Sequence, residues 1–213
     1  MPIRRRFLRA LVLATLVAGA ARQARAQHLL VPMDDAQANH LKAYGIVFSA
    51  LADNIRSEWL LNYRGGAFLI PDLPSIRRGA ALAGVTFEPA DGGAVATIRK
   101  EIADGNMDAV PLEKAPRIAV YTPPDAPPWD DAVTLALAYA GIEYKKIWDD
   151  DVLDTDLSQF DWIHLHHEDF TGQQNKLFLG FRDAPWFIQA RDRDLATARK
   201  HNLGDIPALK KAV

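Results

Sequence analysis

The sequence predicts an α/β fold, a parallel sheet covered by helices, and three observations carry that expectation. Hydrophobic residues make up 49% of the 213 residues and charged residues 24%, the balance of a globular chain with material for a core. Short apolar runs of strand length alternate with longer stretches whose apolar residues recur at helical spacing. Glycine, proline and aspartate punctuate the junctions between them. Strand, helix and strand in alternation call for parallel pairing, because a crossover helix returns the chain to the same end of the sheet.

The elements follow in order. His28 to Met33 is an apolar run and the first expected strand. Asp34 and Asp35 suit the N-cap and first turn of a helix whose apolar face is Leu41, Tyr44, Phe48 and Leu51. Ser57 to Asn62 reads as a strand, and Arg64-Gly65-Gly66 as a turn. Ser75 is placed to cap a short helix that ends near Gly84. Val85-Thr86-Phe87 reads as a strand, and Ala94 to Ala103 as a helix stopped by Gly105-Asn106.

A proline-marked connector, Pro111 to Pro116, separates a second α/β unit from the first, giving expected units of 27–115 and 116–213. Arg117 to Tyr121 is the clearest strand. A proline loop, Asp130-Asp131 and a helix from Ala132 to Ala140 follow. Tyr144 to Trp148 and Asp161 to His166 are further strands, and Pro185 to Lys200 is a helix ended by Gly204. Asp205 then suits the N-cap of a last amphipathic helix with Ile206, Leu209 and Val213. Because that helix has only begun where the sequence stops, the expectation is the first half of something longer. Both units contain Asp-Asp-Ala followed by Ala-Tyr, a pattern that chance explains as well as duplication does.

Residues 1–26 have a different character. Pro2 to Arg9 is basic, residues 10–21 are an uncharged apolar run, and Ala24-Arg25-Ala26 is a small-x-small cleavage site. This is the pattern of a removable secretory signal, with Gln27 as the first mature residue. Arg4-Arg5-Arg6-Phe7-Leu8 also fits a twin-arginine signal, with an ordinary Sec signal as the alternative. The expected location is periplasmic or secreted. An apolar run this short does not span a bilayer, so no membrane association is expected after cleavage.

The segment holds six arginines and no acid, so the remainder has 19 basic residues against 27 acidic ones, a net charge of −8. Nucleic acid is excluded as a partner on that charge, since phosphate binding needs a basic surface. The chain has no cysteine, which removes disulfides, thiolate metal sites and cysteine nucleophiles. The expected partner is a small polar ligand or substrate.

Chemistry concentrates in Asp161-Trp-Ile-His-Leu-His-His-Glu-Asp-Phe170. Open α/β sheets bind ligands beyond the carboxyl ends of their strands, and His164, His166, His167, Glu168 and Asp169 fall at such an end. His166, His167 and Glu168 are the candidate catalytic residues, any of them able to act as a general base. Alternation puts His164 and His166 on one face of the strand, so that with Glu168 they could hold a divalent metal. The plain alternative is a satisfied core histidine followed by strand-capping polar residues. Asp130 and Asp131 are either ligand-binding groups at the same sheet edge or helix caps. Arg64, beside two glycines, is either an anion-binding group or part of a turn.

Several runs resemble one family. They are Leu-Val-Pro-Met-Asp (30–34), Asn-His-Leu-Lys-Ala-Tyr-Gly (39–45), Trp-Leu-Leu-Asn-Tyr-Arg-Gly-Gly (59–66) and Leu-Glu-Lys-Ala-Pro (112–116). Pro-Trp-Asp-Asp-Ala-Val-Thr-Leu (128–135) and His-Leu-His-His-Glu-Asp-Phe-Thr-Gly-Gln (164–173) complete the set, the last being the most specific. Together they resemble the amino-terminal half of exported bacterial proteins labelled asparagine synthetase B. The resemblance implies a fold similar to class I glutamine amidotransferases, with a flavodoxin-like sheet. It also implies a nucleophilic cysteine on a later strand-to-helix turn, in a continuation of the chain that would be this half's partner. The label implies glutamine-hydrolysing asparagine synthesis. That activity needs an amino-terminal cysteine and a Ser-Gly-Gly-x-Asp-Ser pyrophosphate loop, and the sequence contains neither.

Overall fold

A computed structural model describes residues 27–165 and 179–213. The chain divides after Lys114 into two compact units. Both are α/β, but their sheets differ in sense.

The first unit holds strands β1 (His28–Val31), β2 (Ser57–Leu61), β3 (Phe68–Pro71), β4 (Glu88–Ala90) and β5 (Asp108–Leu112). Its helices are α1 (His40–Ala52), α2 (Pro74–Ala83) and α3 (Gly92–Asp104). The strand order is β4-β1-β3-β2-β5 and every pairing is antiparallel. The parallel sheet expected throughout therefore does not extend to this unit. The reason lies in two strands that the sequence pattern did not single out. β3 follows β2 through the Asn62–Ala67 turn as a hairpin and inserts between β1 and β2, which run parallel to each other on either side of it. The succession β1-α1-β2-β3-α2-β4 with order 4-1-3-2 is the split β-α-β arrangement. β5, the second unexpected strand, adds to the edge beside β2. Its Pro111 is tolerated there because an edge strand has one side outside the ladder, and Pro89 in β4 sits on the opposite edge. Pro111 and Leu112 thus belong to a strand rather than to a connector.

Both faces of this sheet are covered. Leu30, Leu60, Ala67, Leu69 and Ala90 pack against Ile98 and Ile102 of α3. On the opposite face Tyr44 of α1 meets Phe68 edge-on at 5.6 Å, and Ile76 and Ala80 of α2 are buried. Strand alternation places Leu29, Val31 and Ile70, all buried, on the face of Phe68.

Several local expectations shift for identifiable reasons. Asn39, not Asp34 or Asp35, caps α1, its side chain accepting from Lys42 N at 3.1 Å. Ser75 lies inside the first turn of α2, which starts at Pro74 without a side-chain cap. Asp91 caps α3 through Ala94 N, so that helix begins two residues earlier than expected. Val85–Phe87 is not a strand. Thr86 N and O are both held by the buried Gln37 amide, at 2.9 and 3.2 Å, which takes them out of the ladder.

The second unit holds β6 (Ile118–Tyr121), β7 (Lys145–Ile147) and β8 (Trp162–Leu165), paired in parallel in the order β7-β6-β8. Helix α4 (Ala132–Ala140) links β6 to β7, and α5 (Asp149–Asp154) links β7 to β8. Since β7 and β8 lie on opposite sides of β6, right-handed crossovers put α4 and α5 on opposite faces. Ala119, Tyr121, Ile147 and Ile163 pack with Trp148, Val152 and Phe160 on the α5 face. Helices α6 (Pro185–Lys200) and α7 (Ile206–Ala212) join α5, with Ala198 and Leu209 fully buried. Asp205 caps α7 through Ala208 N. Among the described residues no helix is long and apolar enough to cross a membrane.

Candidate functional site at the carboxyl edge of the parallel sheet

The strand order β7-β6-β8 sets the carboxyl ends of β6 and β8 side by side. Open parallel sheets commonly take ligands at their carboxyl edge. Two of the candidate residues meet at it. β8 delivers His164, which pairs in register with Val120 of β6. The loop after β6 delivers Asp131. His164 Nε2 lies 2.7 Å from Asp131 Oδ2, with both side chains largely buried.

Asp131 stands at the N-cap of α4, yet its side chain makes no capping bond to the helix. An ionised carboxylate only accepts hydrogen bonds, so the contact requires Nε2 to carry the ring proton. In neutral His164 that leaves Nδ1 as the nitrogen able to accept a proton or a hydrogen bond. An imidazole oriented through one nitrogen by a carboxylate and basic at the other is the arrangement that proton-transfer sites use. Trp162, two residues earlier on the same face, packs edge-on to the His164 ring at 6.2 Å.

Asp130 lies exposed in the 3-10 turn Pro128–Asp130. His166, His167, Glu168 and Asp169 lie outside the described residues. Arg64, in the first unit, is held in the turn after β2 at φ 46°. Its guanidinium donates to Asp34 at 2.7 and 3.3 Å and to Glu88 at 2.6 Å. The hydrogen bonds and charge of Arg64 hold the Asp34 carboxyl below its usual range. This arginine therefore joins the β1–α1 loop to β4, and the structure gives it two carboxylates where an anion was considered.

The α5 face of the same edge carries a second group of polar residues. Asp149 follows β7 and is fully buried. It accepts from Tyr121 Oη at 2.5 Å and from Lys210 Nζ at 2.7 Å. Lys210 reaches Asp194 at 3.3 Å and lies 4.9 Å from the centre of the Trp148 ring, which also stacks on the Tyr121 ring at 4.7 Å and lies 5.9 Å from the Arg193 guanidinium. Burial pushes the Asp194 carboxyl above its ordinary value, with Lys210 pulling the other way. Tyr121 and Asp149 were not singled out in the sequence. The signal, a strand-ending tyrosine and an aspartate just after the next strand, is visible only once their strands are known to be neighbours.

Asp150, Asp154 and His201 are the one grouping among the described residues with metal-ligand spacing. Lys200 already bonds both carboxylates, at 3.1 and 2.7 Å, and His201 Nε2 lies 2.8 Å from Asp150. Burial raises the Asp150 carboxyl, but the bonds from His201 and Lys200 outweigh it and the net shift is downward. A cation there would have to displace Lys200, so the group reads as an ion-pair knot between α5 and α6. For the metal considered at His164, His166 and Glu168, the structure shows His164 Nε2 engaged by Asp131.

No protein-family model, curated protein or solved structure matches the chain.

Proposed function

We propose that this is an exported, amidotransferase-like α/β protein whose second unit binds a small polar ligand between β6 and β8, with Asp131 and His164 facing it. The observation that carries this reading is the 2.7 Å Asp131–His164 contact beside the carboxyl ends of two neighbouring parallel strands. Numbered within the unit, the strand order is 2-1-3, which is how a flavodoxin-like sheet begins, and such sheets take ligands beside strands 1 and 3. The family resemblance of residues 128–135 and 164–173 falls on the same two segments. In this reading His164 Nδ1 accepts a proton or hydrogen bond from the ligand and Asp131 fixes the ring. Export follows the basic, apolar and small-x-small succession of residues 1–26, with cleavage before Gln27.

The test is a titration of the isotope-labelled protein with L-glutamine, L-asparagine and a short peptide amide, followed through the His164 ring resonances. Saturable shifts at His164, weakened about tenfold or more by Asp131→Ala, are expected, a loss of at least ~1.4 kcal/mol. If none of the amides perturbs His164, the ligand reading falls. Ammonia release in the same samples separates an amide-hydrolysing enzyme from a binding module, the second reading that the charge and lack of cysteine admit. Sequencing the amino terminus of protein recovered outside the cytoplasm tests cleavage before Gln27.

A further inference from the structure

The start of α4 has lost the cap that its N-cap aspartate would supply, and another residue holds it. Thr134, buried in the first turn, lies with its Oγ 2.6 Å from the carbonyl oxygen of Pro128 and 3.0 Å from that of Asp131. A hydroxyl has one proton to donate, so it serves one carbonyl at a time, and both are within its reach. The two carbonyls bracket the turn that sets the direction in which Asp131 projects. With this turn tied to the helix from behind, the Asp131 side chain is released from capping and can extend toward β8.

We propose that Thr134 is a positioning residue for the Asp131–His164 pair. Its hydroxyl fixes the Pro128–Asp131 turn so that the carboxylate meets His164 Nε2 and keeps the ring proton on that nitrogen. The proposal rests on the ligand-facing role of the pair for its importance, but its test needs no ligand. β-Branched threonine suits the task, because few rotamers are open to it and a short hydroxyl can turn back to local carbonyls. Asp131 then acts on His164, while Thr134 acts only through Asp131.

The experiment follows the His164 ring N–H in the ligand-free protein by nitrogen-15 NMR, with Asp131→Ala to assign the signal. In the parent protein the bond to Asp131 should slow exchange of this proton with water. In Thr134→Val, which keeps the shape and removes the hydroxyl, the signal is expected to vanish or to exchange at least ~10-fold faster. Thr134→Ser should restore it. A folded Thr134→Val protein with an unchanged His164 ring N–H overturns the proposal. So does loss of the signal in both the Val and Ser variants, since a hydroxyl that fixes the turn should do so from serine as well. Should the Val variant fail to fold, Thr134→Ala puts the same question without crowding. Failure of every amide to bind the parent protein would sink the ligand reading and leave this result standing.

Discussion

Asp131 occupies the N-cap of α4 but gives its carboxylate to His164, 2.7 Å away on β8, instead of to the helix. Aspartate is a preferred cap, worth about 1 kcal/mol to a helix. Its diversion breaks a local rule at the sheet edge proposed to bind a ligand, and rules of this kind are commonly broken at functional sites. The bond also joins two elements 33 residues apart in sequence. Removing either partner should destabilise the second unit. In a double-mutant cycle of Asp131→Ala and His164→Ala, urea unfolding is expected to give a coupling of about 1 kcal/mol or more. Additive effects would mean that the contact carries no energy.

Lys210 is the cation that a fully buried Asp149 depends on. Lys210→Met keeps the stem of the side chain over Trp148 and leaves the carboxylate accepting from Tyr121 Oη. Breaking one side of a buried pair costs about 3–5 kcal/mol where the remaining charge stays buried. The side chain of Lys210 is 41% exposed, so a loss near 2–3 kcal/mol is expected. Tryptophan fluorescence during urea unfolding measures it, because Trp148 lies in contact with the replaced group.

Gly65 holds the turn that presents Arg64. Its φ is +77°, and a Cβ there would stand 2.4 Å from Met33 O and 2.5 Å from Met33 C, both backbone atoms that cannot move aside cheaply. Gly65→Ala is therefore expected to destabilise the first unit by about 2 kcal/mol or more. Gly66→Ala meets the Trp59 side chain at 3.2 Å, again at positive φ. Thermal unfolding of the two variants should place Gly65→Ala lower.

Asp34 and Asp194 should respond to acid in opposite directions. The bonds from Arg64 depress the Asp34 carboxyl, so its contribution is present above the unfolded value of about 3.9 and is lost as pH falls through the lower folded value. Burial raises the Asp194 carboxyl, so ionisation at neutral pH costs stability, and the cost is relieved as pH falls through its raised value. The first unit should lose stability in acid through Asp34, and Arg64→Met should flatten that loss below about pH 4. In the second unit Asp194→Asn should flatten the rise on mild acidification. Urea midpoints at stepped pH check both signs.

Sequence pattern reached most helices because a helix is announced locally. The 3.6-residue spacing marks α1, α4 and α6, and a left-handed glycine closes α4 at Gly141. It reached β6 and β8 for a similar reason, as apolar runs bounded by turns, and with them His164 and Asp131 as candidates. It did not reach β5, where Pro111 argues against a strand until the strand is known to lie at an edge. Nor did it join His164 to Asp131 or Tyr121 to Asp149, because those pairs come from separate segments and chain spacing carries no record of which strands become neighbours.

By itself, then, the sequence determined the alternation of helices and strands, the acidic and cysteine-free character of residues 27–213, and the residue types able to do chemistry at strand ends. Tertiary structure alone decided the antiparallel sense of the first sheet, since pairing depends on hydrogen bonds between distant segments and β3 had to insert between β1 and β2. It alone decided that Arg64 faces two carboxylates and that Asp131 serves β8 rather than its own helix. In each case the local preference, a cap or a turn, is worth about 1 kcal/mol, and a charged hydrogen bond formed across the fold outweighs it.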